Sequence, residues 1–128
     1  MELYDRAKSA ADYIASRIGE VPDTAVVLGS GLGAFGDSIA VEQTLRYSEI
    51  PEFPETTVAG HSGELLCGTV GGKRLLAMKG RFHLYEGHKV QDATLYIRAF
   101  ALLGVKKLIL TNAAGAINTA FRPGDLML

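Results

Sequence analysis

The chain is 128 residues long, enough for one ordinary domain and too short for two well-formed cores. Thirteen Lys and Arg against fourteen Asp and Glu leave a formal charge of −1, which excludes a broadly basic nucleic-acid binder, and 48% apolar with 21% charged residues excludes a disordered chain. The single cysteine, Cys67, excludes an internal disulfide and a cysteine-cluster metal site.

The first twenty residues predict an amphipathic helix. Leu3, Ala7, Ala10, Ala11, Ile14 and Ile18 recur at the spacing of one helix face, while Asp5, Arg6, Lys8, Asp12 and Arg17 occupy the other. Gly19 stops that helix and Pro22 prevents its resumption. With charges throughout, the segment reads as neither signal peptide nor membrane span, and no apolar run reaches the ~18 residues of a membrane helix. The expectation is a cytoplasmic protein with no membrane partner. Residues 24–28 predict a central strand covered on both faces. Residues 41–50 alternate imperfectly and predict a strand near an edge, after which Pro51 and Pro54 impose an extended loop. The apolar runs 64–70 and 73–78, joined by Gly71-Gly72, predict a hairpin, because primed turns need positive φ. Residues 79–89 form a polar loop, 90–103 a helix closed by Gly104, and 107–111 a second buried strand. Residues 122–125 read as a turn and 126–128 as the start of a further strand. An apolar strand start at a C-terminus is unusual, so the chain is expected to be a piece of a longer protein. The fold class expected is α/β, a mixed twisted sheet flanked by helices.

Three segments carry the chemistry. Gly29-Ser30-Gly31-Leu32-Gly33 directly follows a strand; glycines let the backbone turn sharply and aim several N–H groups at one spot, and a short helix starting near Leu32 would add its positive end. Gly31-x-Gly33-x-x-Gly36 matches the dinucleotide fingerprint only formally, because the acids at the right distance, Glu52 and Glu55, sit in a proline-broken loop. No Gly-Lys-Ser or Gly-Lys-Thr is present for a Walker loop. In Gly80-Arg-Phe-His-Leu-Tyr-Glu-Gly-His88, an extended backbone puts Arg81, His83 and Tyr85 on one side. Arg81 offers a planar fork for phosphate oxygens, His83 a donor to them, Tyr85 a surface for a sugar, and Glu86 a group to orient Arg81 or His83. A metal on His83 and His88 is disfavoured, since no third ligand is near and Arg81 opposes a cation. Thr111-Asn-Ala-Ala-Gly115 follows the second buried strand, where small residues let a ligand approach the main chain. His61-Ser62-Gly63 reads as a turn rather than a lid. Cys67 reads as buried and inert, and no pattern supports a Ser-His-Asp hydrolase.

Together, Val27-Leu-Gly-Ser-Gly-Leu-Gly33, Gly60-His-Ser-Gly63, Lys79-Gly-Arg-Phe-His-Leu-Tyr-Glu-Gly-His88 and Leu110-Thr-Asn-Ala-Ala-Gly-Ala-Ile-Asn118 stand in an order that resembles the trimeric purine nucleoside phosphorylases, which prefer inosine and guanosine. The resemblance covers essentially the whole chain and about the N-terminal half of that family's domain. It implies phosphorolysis of a purine ribonucleoside by inorganic phosphate, giving free base and ribose 1-phosphate, with no metal or organic cofactor, in a homotrimer. It further implies phosphate contacts from Ser30, Arg81, His83 and the main chain at Ala113. Catalytic support would come from His83 and Glu86, and substrate contacts from Tyr85, Asn112, Ala113 and Ala114. His61 would lie in a loop near the site. The family's base-recognising Glu and Asn, a further ribose-contacting His and a further phosphate-binding Ser have no counterpart in these residues, so the expectation for this polypeptide alone is little or no turnover. Two other readings stand beside it: a non-catalytic phosphate- or nucleoside-binding module, and a relative of methylthioadenosine phosphorylase, against which Ser30 in its glycine frame counts.

Overall fold

Alternation in the strands decides the layering. In the computed structural model, which describes residues 1–55 and 63–128, strand β1 (Thr24–Leu28) sends Ala25 and Val27 to one face and Val26 and Leu28 to the other. The same alternation places Leu65 and Cys67 of β3 (Glu64–Val70), with Leu76 and Met78 of β4 (Lys73–Lys79), on the first face. There they meet Ala10, Ala11, Ile14 and Ile18 of helix α1 (Leu3–Ile18), and Ala99 and Phe100 of helix α3 (Leu95–Leu103). Each such Leu or Ile contributes about 1.5–3 kcal/mol on full burial. The second face carries a smaller cluster, Val26, Leu28, Ile39, Leu66 and Ala77.

The sheet has five strands in the order β2-β3-β4-β1-β5, with β2 at Ala40–Arg46 and β5 at Lys107–Leu110. The β2–β3–β4 part is antiparallel, and β4, β1 and β5 run parallel. The mixed sheet flanked by helices is thus as expected, as is the hairpin, whose Gly71 and Gly72 have φ of 55° and 76°. Arg74 of β4 ties the end of α1 to the sheet: its guanidinium donates to the carbonyls of Ile18 and Glu20 and pairs with Glu42 at 3.1 Å. At the other end of α1, Arg6 pairs with Glu52 at 2.9 Å and Asp92 at 2.8 Å.

Several expectations need correction. The helix expected over 90–103 is two pieces, α2 (Val90–Ala93) and α3, broken at Thr94. The Thr94 hydroxyl and its own N–H both donate to the Val90 carbonyl, at 2.8 and 3.0 Å, and φ −108°, ψ 5° leaves the helical region. Strand 41–50 ends at Arg46, with a register shift between Val41 and Gln43, and a 3-10 turn at Tyr47–Glu49 swings the Tyr47 ring into the core. The short helix foreseen near Leu32 is the 3-10 segment Gly33–Ser38, too short to add a helix dipole. Strand β5 is exposed rather than buried, because it is a sheet edge with neither face covered among the described residues. Residues 126–128 form no strand and are exposed, since no described strand lies beside them.

Candidate phosphate and nucleoside site

Three loops leave the carboxyl ends of adjacent parallel strands. The register pairs Leu28 of β1 with Lys79 of β4, and Val27 with Leu110 of β5, so the three ends lie side by side with β1 in the middle. This is the edge at which open α/β sheets bind ligands.

The β1 loop is locked to the β5 loop. The Thr111 hydroxyl donates to the Val27 carbonyl at 2.7 Å and accepts the Gly29 N–H at 2.8 Å. Gly29 passes so close that a Cβ there would stand 2.6 Å from the Thr111 carbonyl oxygen. The next residues form a tight turn: the Leu32 N–H donates to the Gly29 carbonyl at 3.1 Å, and Gly31 takes φ 83° at the third position. Ser30 stands exposed at its tip.

The β4 loop begins at Gly80, whose carbonyl accepts the Tyr47 hydroxyl at 2.7 Å. Phe82 is buried against Tyr47 and Phe53, at centroid distances of 5.1 and 5.7 Å, and half-buried Arg81 and His83 flank it. The Arg81 Nη1 donates to the Thr111 carbonyl at 3.3 Å. Since strands lie ~4.8 Å apart, this bond carries the guanidinium from β4 across the end of β1 to β5. Arg81, the Gly29 turn and the start of the 111–115 segment are thereby brought to one place.

His83 and Tyr85 stack at 4.6 Å with 19° between their rings, while Tyr85 is 81% exposed. Glu86 lies on the 3-10 turn Leu84–Glu86 with its side chain only 5% exposed. Its Oε2 accepts the His83 N–H at 2.9 Å and sits 3.5 Å from His83 Nδ1. Of the two partners expected for Glu86, then, it orients His83. Asn112, Ala113 and Ala114 are exposed at the end of β5, and the Asn112 amide donates to the Ala113 carbonyl at 3.3 Å. His61 lies outside the described residues. Cys67 is fully buried, and burial pushes its thiol above its ordinary range. Among the described residues no group of three or more His, Cys, Asp and Glu is placed to hold a metal ion, and no helix is long and apolar enough to cross a membrane. A groove lined by Tyr4, Lys8, Asp12, Val21 and Leu102 lies beside α1 and α3, and its two charged groups, Lys8 and Asp12, pair with each other at 2.6 Å.

Sequence reasoning missed the parts that assemble the site. The Thr111 hydroxyl bridge, the steric need for Gly29 and the Tyr47–Gly80 bond all join residues at least thirty apart. The available signal was a glycine immediately after one apolar run and a threonine at the end of another.

A family model described as the phosphorylase superfamily matches residues 23–128. Purine nucleoside phosphorylase 1 of Bacillus subtilis (strain 168) is 48% identical over 126 residues, which is 98% of this chain and 46% of that protein. The Bos taurus purine nucleoside phosphorylase is 45% identical over 98% of this chain and 43% of its own length. Isoform 2 of purine nucleoside phosphorylase from Schistosoma mansoni, solved in complex with cytosine and ribose-1-phosphate, gives a TM-score of 0.85 at 47% identity, covering 95% of this chain and 43% of that one. The chain thus spans a little under half the length of these relatives. By its sequence and by its sheet, it belongs to the phosphorylase superfamily and is similar to the purine nucleoside phosphorylases within it.

Proposed function

We propose that this chain supplies the phosphate side of a purine nucleoside phosphorylase. The reaction is attack of inorganic phosphate on a purine ribonucleoside such as inosine or guanosine, giving free base and ribose 1-phosphate. The observation that carries the reading is the reach of Arg81 across β1 to Thr111, beside the Gly29-Ser30-Gly31 turn. A dianion seated there would meet the Ser30 hydroxyl and nearby main-chain N–H groups, the Arg81 fork, His83 and the main chain at Ala113. Such charge-assisted hydrogen bonds are the strong kind. Through the family resemblance, Tyr85 would contact the ribose, and Asn112, Ala113 and Ala114 would line the place of the substrate.

In the proposed chemistry the glycosidic C–N bond breaks with its electron pair going to the base, which takes up a proton. A phosphate oxygen then forms the new bond to the anomeric carbon. Positive charge develops on the ribose as the base departs, and a fixed anion beside it stabilises that state. Holding the two reactants together supplies much of the remaining acceleration. Phosphate is a co-substrate, and the proposal calls for no metal or organic cofactor. It extends, through the family resemblance, to a homotrimer, a cytoplasmic location and a role in purine salvage. Because the chain spans under half of its relatives' length, the complete reaction is proposed for a protein of family length. The 128-residue polypeptide is expected to bind phosphate and to turn over inosine at less than about a tenth of a relative's rate, the loss of one or two hydrogen bonds to the departing base being enough.

Calorimetric titration with inorganic phosphate, beside an assay for ribose 1-phosphate from inosine, tests this. Removing a charged hydrogen-bonding group costs about 1.5–3 kcal/mol, so Arg81→Met should weaken phosphate binding about ten- to a hundredfold. Undiminished binding by Arg81→Met, or none by the unmodified chain, would refute the reading.

A further inference from the structure

One oxygen of Glu86 is the meeting point of three nitrogens. Its Oε2 accepts the His83 N–H at 2.9 Å, lies 3.5 Å from His83 Nδ1, and lies 3.7 Å from His88 Nε2. His88 is the motif residue to which the proposed reaction gives no task. Its side chain is 15% exposed, and its Nε2 is buried with no hydrogen-bond partner among the described residues. A buried nitrogen in that condition costs free energy, so its persistence asks for a reason.

The local structure aims that nitrogen at Glu86. Gly87 adopts φ 90°, a left-handed conformation that costs glycine little, and turns the chain back so that His88 approaches the residue two before it. The His88 ring meets buried Phe82 edge-on, at 6.2 Å and 88°, which limits its rotation. A side-chain adjustment of under ~1 Å brings 3.7 Å to hydrogen-bond length.

We propose that His88 is a positioning residue: its Nε2–H donates to Glu86 and fixes the carboxylate that in turn fixes His83. With Glu86 held, His83 keeps its proton on Nδ1, facing the carboxylate, and Nε2 is the nitrogen left for a ligand. A carboxylate sets the tautomer of ligand-binding histidines elsewhere in this way. No proton leaves the chain of three groups; only its geometry is set. The role of His83 toward phosphate rests on the proposed function, whereas the coupling of His88 to His83 does not.

Nitrogen-15 NMR of the imidazoles in the full chain, near neutral pH and without phosphate, decides the coupling. The unmodified protein should show His83 protonated at Nδ1. His88→Phe, which removes the donor, should shift His83 toward the Nε2–H form, and His88→Gln, which keeps an N–H at about the same reach, should restore Nδ1–H. An unchanged His83 in His88→Phe, or equal shifts in both variants, overturns the proposal. Should His88→Phe fail to fold, Glu86→Leu, which removes the acceptor, reads the other half: the downfield Nε2–H signal of His88 should be lost, and its retention overturns the proposal equally. Titration with inorganic phosphate then separates the two ideas. His88→Phe should bind roughly fivefold more weakly, as for loss of one supporting hydrogen bond, with most of that recovered in His88→Gln. If the unmodified chain binds no phosphate, the functional reading fails while the tautomer comparison still decides the role of His88.

Discussion

At the scale of single residues, the ligand edge depends on space as much as on charge. Gly29 is needed because nothing larger fits: a Cβ there would be 2.6 Å from the Thr111 carbonyl oxygen and 3.0 Å from the Asn112 Cα. Both are backbone atoms, so no flexible side chain can yield, and β5 would have to move away from β1. Gly29→Ala should therefore cost about 1–3 kcal/mol, as overpacking does, and should weaken phosphate binding by displacing the Thr111 carbonyl that holds Arg81. Gly31 makes an informative contrast. Its φ is 83° and a Cβ there meets nothing within 4 Å, so Gly31→Ala should cost about 1 kcal/mol through backbone strain and leave the β1–β5 junction intact. Urea unfolding of both variants checks this, and a Gly29→Ala loss below about 0.5 kcal/mol, the scale of an ordinary surface change, would contradict it.

At the scale of elements, Tyr47 shows how a connection supports a site. It opens the turn after β2, packs against Phe53 and Phe82, and donates its hydroxyl to the carbonyl of Gly80, the residue just before Arg81. Burial above all, with smaller contributions from Tyr96 and Glu64, pushes the Tyr47 phenol far above its ordinary range. An unfolded tyrosine ionises near pH 10, whereas the folded one keeps its proton. The stabilisation is therefore complete below pH ~10 and is lost as pH rises from there toward the folded value. Cys67, also raised by burial, starts a similar loss above pH ~8.5. Urea midpoints measured from pH 8 to about 11 should fall steeply in the unmodified protein. Tyr47→Phe should be less stable at pH 8, by about 1 kcal/mol for the lost hydrogen bond, and should fall less steeply above pH 10; parallel curves would count against this account. The same element marks the limit of what could be read from the chain. Helix α1 and the 64–79 hairpin were legible because their signals are local, a 3.6-residue apolar period and a Gly-Gly turn. The break at Thr94 and the turn at Tyr47 were not, because a side-chain hydrogen bond and a ring seeking the core overrode periodicity. Ser30, Arg81 and Asn112 were legible as polar or small residues just after strands. That they share one edge depends on the β4-β1-β5 order, which no local pattern encodes.

At the scale of the molecule, cover is uneven. One sheet face is buried under α1 and α3, while β5 and the residues after it are open. Ile109 is 52% exposed, Ile117 and Leu126 more than nine-tenths so, and among the described residues no strand pairs with the outer edge of β5. An apolar strand with unsatisfied backbone groups is a template for another strand. The chain alone in solution should therefore self-associate, its average mass by light scattering rising with concentration. Ile109→Lys should oppose this, since an edge lysine resists desolvation and the lost apolar contact is worth about 1.5 kcal/mol, close to a tenfold weaker association. Ile109 is exposed in the middle of the strand, so the substitution should leave the far-ultraviolet circular dichroism unchanged and the core undisturbed. A mass that stays constant with concentration, or a fixed assembly indifferent to Ile109→Lys, would show that the β5 edge is not the surface through which copies meet.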